Sequence, residues 1–280
     1  MFDTHCHLNF SAFKKTLDEV LLRAHKAGIQ QIVIPGTDIK SSQKAVEIAS
    51  KHDGIYAAVG IHPHHVYDLK LANDEARITQ ELTQIEDLLS HTKVVAVGEV
   101  GVDRYIYTQT KYKEYTDDDS FVELQKKILS QQITLAVKHD KSLIIHNRIA
   151  KADLFEVLKN TWDTKLERRS VLHCCEPDHE LLNFAKEHRM FLGIDGDLTY
   201  SKEKQEFIKT MGAEEFLARY VLETDSPFLL PEPLRTQKQY PNKPENIRVI
   251  VDCLADILKI SSEEIQKRTM ENAKQLFHLI

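Results

Sequence analysis

The 280-residue sequence sets 37 Lys and Arg against 43 Asp and Glu for a formal net charge of −6, with 42% hydrophobic residues and only 9 Gly and 8 Pro. This composition can bury a full core and excludes a disordered polymer, while the negative balance excludes nucleic-acid binding by a general coat of Lys and Arg. Four cysteines are too few for a disulfide scaffold of this length, no stretch approaches the roughly 20 apolar residues that span a bilayer, and Met1-Phe2-Asp3 opens no basic-then-apolar leader, so a cytoplasmic setting is expected.

In chain order, short β-branched apolar runs occur at Met1–His5, Gln31–Pro35, Tyr56–His62, Val94–Glu99, Ser142–His146, Ser170–His173, Met190–Ile194 and Tyr220–Glu223. Between them apolar residues fall at helical spacing, as in Leu17, Val20, Leu21 and Ala24, then Ile78, Leu82, Ile85, Leu88 and Leu89. Two closing helices are expected over Glu245–Leu258 and Ser262–Phe277, the second with Glu263 and Glu264 at the positive end of its dipole. Alternation of strand and helix implies parallel strands with right-handed crossovers. Eight repeats favour a closed (β/α)8, TIM-barrel-like fold over an open doubly wound sheet, and no linker or low-complexity tract divides residues 1–280 into domains.

The strand ends carry the chemistry. His5 and His7 stand two apart, so a strand presents both to one face. Glu99 closes an apolar run, where an unpaired carboxylate is costly and calls for a cation nearby. His146 and His173 end the fifth and sixth runs, and Glu223 and Asp225 lie two apart at the eighth. Any one of the 14 histidines is as well explained by core or surface packing. Six ligand-type residues, His5, His7, Glu99, His146, His173 and Asp225, at strand ends that open on one barrel face, are better explained jointly, as a metal site. Imidazoles and carboxylates without a Cys quartet suit Zn²⁺, Mn²⁺ or Mg²⁺ in an open catalytic site. With two ions, Glu99 could bridge them, and Asp225 could take the proton of the attacking water as general base. Cys6, Cys174 and Cys175 are expected to pack.

Six motifs run in order through the chain: Phe2-Asp3-Thr4-His5-Cys6-His7-Leu8, Gly60-Ile61-His62-Pro63-His64, Gly98-Glu99-Val100-Gly101-Val102-Asp103, Ile145-His146-Asn147-Arg148, Leu172-His173-Cys174 and Glu223-Thr224-Asp225-Ser226-Pro227. Together they resemble the TatD family of metal-dependent deoxyribonucleases, within the amidohydrolase-like barrels, over nearly the whole length. The resemblance implies two divalent ions (Mg²⁺, Mn²⁺ or Zn²⁺), one on His5, His7, Glu99 and Asp225 and the other on Glu99, His146 and His173. It implies 3′ to 5′ exonuclease action on DNA, with single-stranded 3′ ends as the expected partner, no membrane, and a monomer. His62 matches a family position beside the substrate and joins Glu99 and Asp225 as a catalytic candidate; Arg148 and Glu223 are the expected substrate contacts. His64 and His65 read as ordinary loop residues.

Departures from the family pattern concern the substrate. Cys175-Glu176-Pro177-Asp178 and Ile194-Asp195-Gly196-Asp197 put acids where the family carries small or hydroxyl residues, so a negative barrel mouth is expected to repel phosphate. The family's basic stretch after the last strand is blurred into Tyr240–Glu245, with Arg235 and Lys238 upstream. A long loop, residues 104–120, interleaves Tyr105, Tyr107, Tyr112 and Tyr115 with Arg104, Lys111 and Lys113. It reads equally as a base-stacking phosphate clamp or as a solvated lid ending in a helix cap. The competing readings are a barrel metallohydrolase acting on a lactone, amide or small phosphate ester, and a barrel that only binds a partner.

Overall fold

The computed structural model describes residues 1–108, 110–112 and 114–279. Eight strands pair in parallel in sequence order: β1 (Phe2–Asp3), β2 (Gln31–Pro35), β3 (Ile55–Val59), β4 (Val94–Asp103), β5 (Ser142–Arg148), β6 (Ser170–Leu172), β7 (Phe191–Ile194) and β8 (Tyr220–Leu222). Helices on the outside connect them, including Leu17–Lys26, Ile39–Lys51, Glu75–Leu89, Asp119–Lys138, Lys151–Thr161, His179–Glu187 and Lys202–Met211. This is the expected (β/α)8 barrel. Among the described residues no helix is long and apolar enough to cross a membrane.

Strands buried on both faces read as unbroken apolar runs. Alternate residues fill the inside: Val33, Ala58, Ala96, Ile144, Val171, Phe191 and Val221 pack with Phe2, and the helix Ser262–Leu276 with Phe277 seals that end of the barrel, the rings of Phe2 and Phe277 lying 5.7 Å apart. Their neighbours, such as Ile32, Ile34, Ala57 and Val59, face the helices. The ring closes across β1 and β8 through Thr4 N–H to Leu222 O (3.0 Å), Asp225 N–H to His5 O (2.9 Å) and His7 N–H to Ser226 O (2.7 Å). Beneath this seam the fully buried Asp3 carboxylate accepts from Thr224 N–H (3.0 Å) and Thr224 Oγ1 (2.7 Å); burial pushes its carboxyl up to about 8 against those bonds.

Two boundaries differ from expectation. β4 does not stop at Glu99 but runs to Asp103, with a register shift between Val97 and Val100. The helix expected from Glu245 begins at Ile247, after a 3-10 turn over Pro244–Asn246 that Pro244 opens.

The long loop is packed rather than free. Tyr67, Tyr112, Tyr115 and Phe121 stack or meet edge-on at 4.8 to 5.9 Å, and His64 packs on Tyr107, Tyr112 and Tyr115. Its cations are engaged, Arg104 with Asp153 (2.7 Å) and Lys111 with Asp68 (2.6 Å), and Asp118 caps the next helix by accepting from Phe121 N–H (3.0 Å). Lys113 lies outside the described residues. The cap of one reading is present, and Arg104 and Lys111, the cations of the other, are ion-paired in this structure.

Candidate active site

The register between β4 and β5 builds half of the site. His146 sits opposite Gly101, flanked on the same face of β4 by Glu99 and Asp103. With no side chain at 101, both acids reach the imidazole: Nδ1 lies 2.9 Å from Glu99 Oε1 and Nε2 3.0 Å from Asp103 Oδ2. A Cβ at Gly101 would lie 1.9 Å from the His146 carbonyl oxygen, so glycine is required there. Asp103 is held in turn by Tyr107, whose hydroxyl donates to Oδ2 at 2.6 Å, and by Tyr105 N–H to Oδ1 at 2.7 Å. Two glutamines seven apart on the helix Asp119–Lys138 pin the adjoining strand ends: Gln125 brackets the Asp103 backbone (2.8 and 3.1 Å) and Gln132 that of Ile61, beside His62 (2.7 and 3.1 Å).

The seam between β1 and β8 builds the other half. His5 and His7 lie past the end of β1, and Asp225 past β8 in the left-handed region (φ 49°). The Nε2 atoms of His5 and His7 converge to 3.2 Å. Glu99 Oε2 lies 3.4 Å from His5 Nε2 and 3.6 Å from His7 Nε2; Asp225 Oδ1 lies 3.8 and 3.4 Å from the same atoms and 3.8 Å from His173 Nε2. Glu99 Oε1 faces the other side, toward His146, His62 Nε2 (3.5 Å) and His173 Nε2 (3.8 Å). One carboxylate thus serves two groups of imidazoles.

The electrostatics explain why this cluster suits cations. Burial alone would raise the Glu99 carboxyl, yet His62, His5 and His146 hold it well below the usual range. Burial would lower His146 and His173, yet the carboxylates of Asp103 and Glu99 bring the first up to about 9, and those of Glu223, Glu99 and Asp225 bring the second up to about 10. His5, fully buried and stacked 3.5 Å from the His173 ring, is pushed down to about 3 by burial and by that neighbour. The buried Nδ1 atoms of His5 and His7 find no partner among the described residues. Protons on imidazoles facing carboxylates stand where metal–ligand bonds form once those protons leave. Donor atoms of His5, His7 and Glu99, and of His5, His173 and Asp225, lie within 4.8 Å of one another. This donor set fits divalent metal ions.

The family model described as "TatD related DNase" matches residues 2–278. The chain belongs to the TatD family. Among its relatives, the metal-dependent hydrolase YabD of Bacillus subtilis is 32% identical over 281 residues, covering 100% of this chain and 99% of YabD. The 3'-5' ssDNA/RNA exonuclease TatD of Erwinia tasmaniensis is 30% identical over 284 residues and 100% of both chains. The crystal structure of YjjV, a TatD homologue from Escherichia coli, superposes with a TM-score of 0.83 at 27% identity over 99% of this chain and 98% of that one. This TatD-family chain is therefore a metal-dependent hydrolase.

The remaining residues of interest take different places in this TatD-family barrel. His62 Nδ1 accepts from His64 N–H (3.0 Å), which leaves the ring proton on Nε2, facing Glu99. Glu223 is 1% exposed, beneath the cluster rather than in the mouth. Its Oε1 lies 3.1 Å from His173 Nδ1, a close ionic contact rather than an aligned hydrogen bond, and accepts from Cys174 N–H. Gly193 makes room for it, since a Cβ there would lie 2.1 Å from Oε1. Arg148 lies over Tyr105, its Cζ 3.6 Å from the ring centroid, with Nη1 3.5 Å from the Tyr107 hydroxyl.

The acids of the TatD barrel mouth are mostly paired. Lys204, itself 3% exposed, reaches Asp197 Oδ1 at 2.5 Å and Asp195 Oδ2 at 3.6 Å, and Cys174 Sγ–H donates to Asp195 Oδ2 at 2.8 Å. Asp178 caps the helix His179–Glu187 and pairs with Lys151 at 2.7 Å. Only Glu176 of the four is exposed. Two lysines, Lys151 and Lys204, which lie 7 to 27 residues from these partners, offset part of the repulsion expected from their sequence. Asp103, Tyr107, Glu223's place under His173 and Lys204 escape a strand-end search; for Asp103 the period of two from Glu99 and Gly101 was a usable signal.

Proposed function

We propose that this hydrolase is a nuclease that removes nucleotides from single-stranded 3′ DNA ends, acting as one monomeric barrel over residues 1–280 with two divalent ions (Mg²⁺, Mn²⁺ or Zn²⁺) in the cytoplasm. The observation that carries the reading is Glu99: its two oxygens face two separate groups of imidazoles, the arrangement expected of a carboxylate shared by two ions. The Erwinia relative named as a 3'-5' ssDNA/RNA exonuclease supports the substrate, and the pairing of Asp195, Asp197 and Asp178 with two lysines lessens the electrostatic objection to a phosphodiester.

His5, His7, Glu99 and Asp225 would hold one ion, and Glu99, His146 and His173 the other. Such ions supply Lewis acidity, polarising the phosphoryl group and making water easier to deprotonate. The chain's own groups do the rest. Asp225, with Oδ1 on the imidazoles and a side chain 14% exposed, offers Oδ2 to the proton of the attacking water as general base. His62 donates its Nε2 proton toward charge developing on phosphoryl oxygen. Asp103 and Glu223 fix the rings of His146 and His173. Arg148, over Tyr105, offers its guanidinium to a substrate phosphate.

The test is time-resolved cleavage of 3′-labelled single-stranded DNA by metal-stripped protein resupplied with Mg²⁺, Mn²⁺ or Zn²⁺. Stepwise loss of 3′ nucleotides that Asp225→Asn, Glu99→Gln and His5→Ala lack, with unchanged circular dichroism, is the expected result. DNA left intact with every ion, while a lactone or small ester is turned over, would overturn it.

A further inference from the structure

The nuclease reading, on which this inference rests, leaves one feature beside the site without a role. Phe228 is 51% exposed although it stands only three residues beyond Asp225. Single exposed apolar residues are common and need no explanation by themselves; the placement of this one is what matters. The turn that carries it is braced. Phe228 N–H donates to Asp225 O (2.8 Å), Asn242 N–H to Pro227 O (3.0 Å), and Asn242 Nδ2 to Thr224 O and Leu229 O (3.0 and 3.3 Å). The ring is therefore presented by the segment that also sets Asp225.

Its neighbours are aromatic and lead inward. Phe10 is half-buried and lies flat on His7, with centroids 4.4 Å apart and planes at 21°. Phe228 stands nearly perpendicular to both, 6.1 Å and 77° from Phe10 and 6.2 Å and 71° from His7. The result is a corner of two phenyl rings, one wall of which rests on an imidazole whose Nε2 belongs to the cluster. On the other side of the site, the Tyr105 face is already covered by Arg148.

We propose that Phe228 and Phe10 form a stacking corner for the nucleobase of one of the two nucleotides flanking the scissile phosphate. Every base has a π face, and phenyl rings offer no hydrogen-bond donors or acceptors. A corner of this composition holds all four bases alike, as an enzyme that shortens a strand one nucleotide at a time must.

The experiment compares wild type, Phe228→Ala and Phe228→Tyr on a normal single-stranded oligodeoxynucleotide and on two versions carrying an abasic site at the last or the penultimate nucleotide. On the normal strand Phe228→Ala loses roughly tenfold in kcat/KM, mostly through KM, while Phe228→Tyr, which keeps a π face, stays near wild type. On one of the abasic strands the alanine penalty disappears, because there is no base to stack. An equal penalty on all three strands, or none on the normal one, refutes the corner and leaves the nuclease reading standing. Wild-type protein that cuts none of the strands refutes the nuclease reading and the corner with it.

Discussion

Replacing Lys204 by Met removes the cation from a buried ion network while keeping most of the side-chain volume. The ammonium sits on a side chain 4% exposed, 2.5 Å from Asp197 and 3.6 Å from the fully buried Asp195. Breaking a buried pair by deleting one partner costs about 3–5 kcal/mol, and at about 2–4 °C per kcal/mol for a protein approaching this size the melting temperature should fall by roughly 10 °C. The pH dependence gives a sharper test. In the wild type, burial raises the Asp195 carboxyl but the charge of Lys204 and the Cys174 bond bring it below its ordinary value, so its stabilisation is present above about pH 4 and is lost as pH falls through the depressed value. Without Lys204, burial prevails, the folded pKa rises above the unfolded one, and acid favours the folded variant. The deficit of Lys204→Met measured by urea unfolding at pH 7 should therefore shrink at pH 5, and Asp195→Asn added to it should recover most of the loss. A deficit under about 1 kcal/mol at pH 7, or one that does not shrink in acid, would refute the account.

Two further outcomes follow from the β4–β5 register. Tyr107→Phe removes the 2.6 Å bond to Asp103, the acid that holds His146 Nε2. Calorimetric titration of the metal-stripped protein should show about tenfold weaker binding in one step and no change in the other; equal weakening of both steps, or none, would contradict the assignment. Gly101→Ala places a Cβ against the His146 carbonyl and should cost about 3 kcal/mol or prevent soluble accumulation, whereas a wild-type melting temperature would show that the two strands are not held in this register.

What the amino-acid sequence discloses, and what it hides, follows the range of each interaction. β2 falls on its expected residues because an apolar run bounded by polar turns is a local signal. β1 is shorter than its run, since residues 4–7 bond mainly to Leu222–Ser226 across the seam, with Cys6 N–H alone returning to β2 at Val33 O. β4 is longer than its run: Glu99 reads as the strand's end until His146, 47 residues from it and 43 from Asp103, balances both acids. The six ligand-type residues were visible because each ends an apolar run or stands two residues beyond such an end, and the barrel topology needed only to bring those ends to one face. Lys204 had no such mark, being one polar residue among several on the helix Lys202–Met211. Tyr107 reads as a loop residue and Phe228 carries no mark in the sequence; only the folded loops disclose their partners.

The seam between β1 and β8 orders events in time. His5 and His7 emerge early in synthesis and Asp225 more than two hundred residues later, yet all three meet across the bonds that close the ring. The hydrolytic cluster is thus a clasp on the closed barrel, and a chain whose later strands are still missing carries half a clasp. Any cation gripped by both halves would in turn hold the finished ring shut.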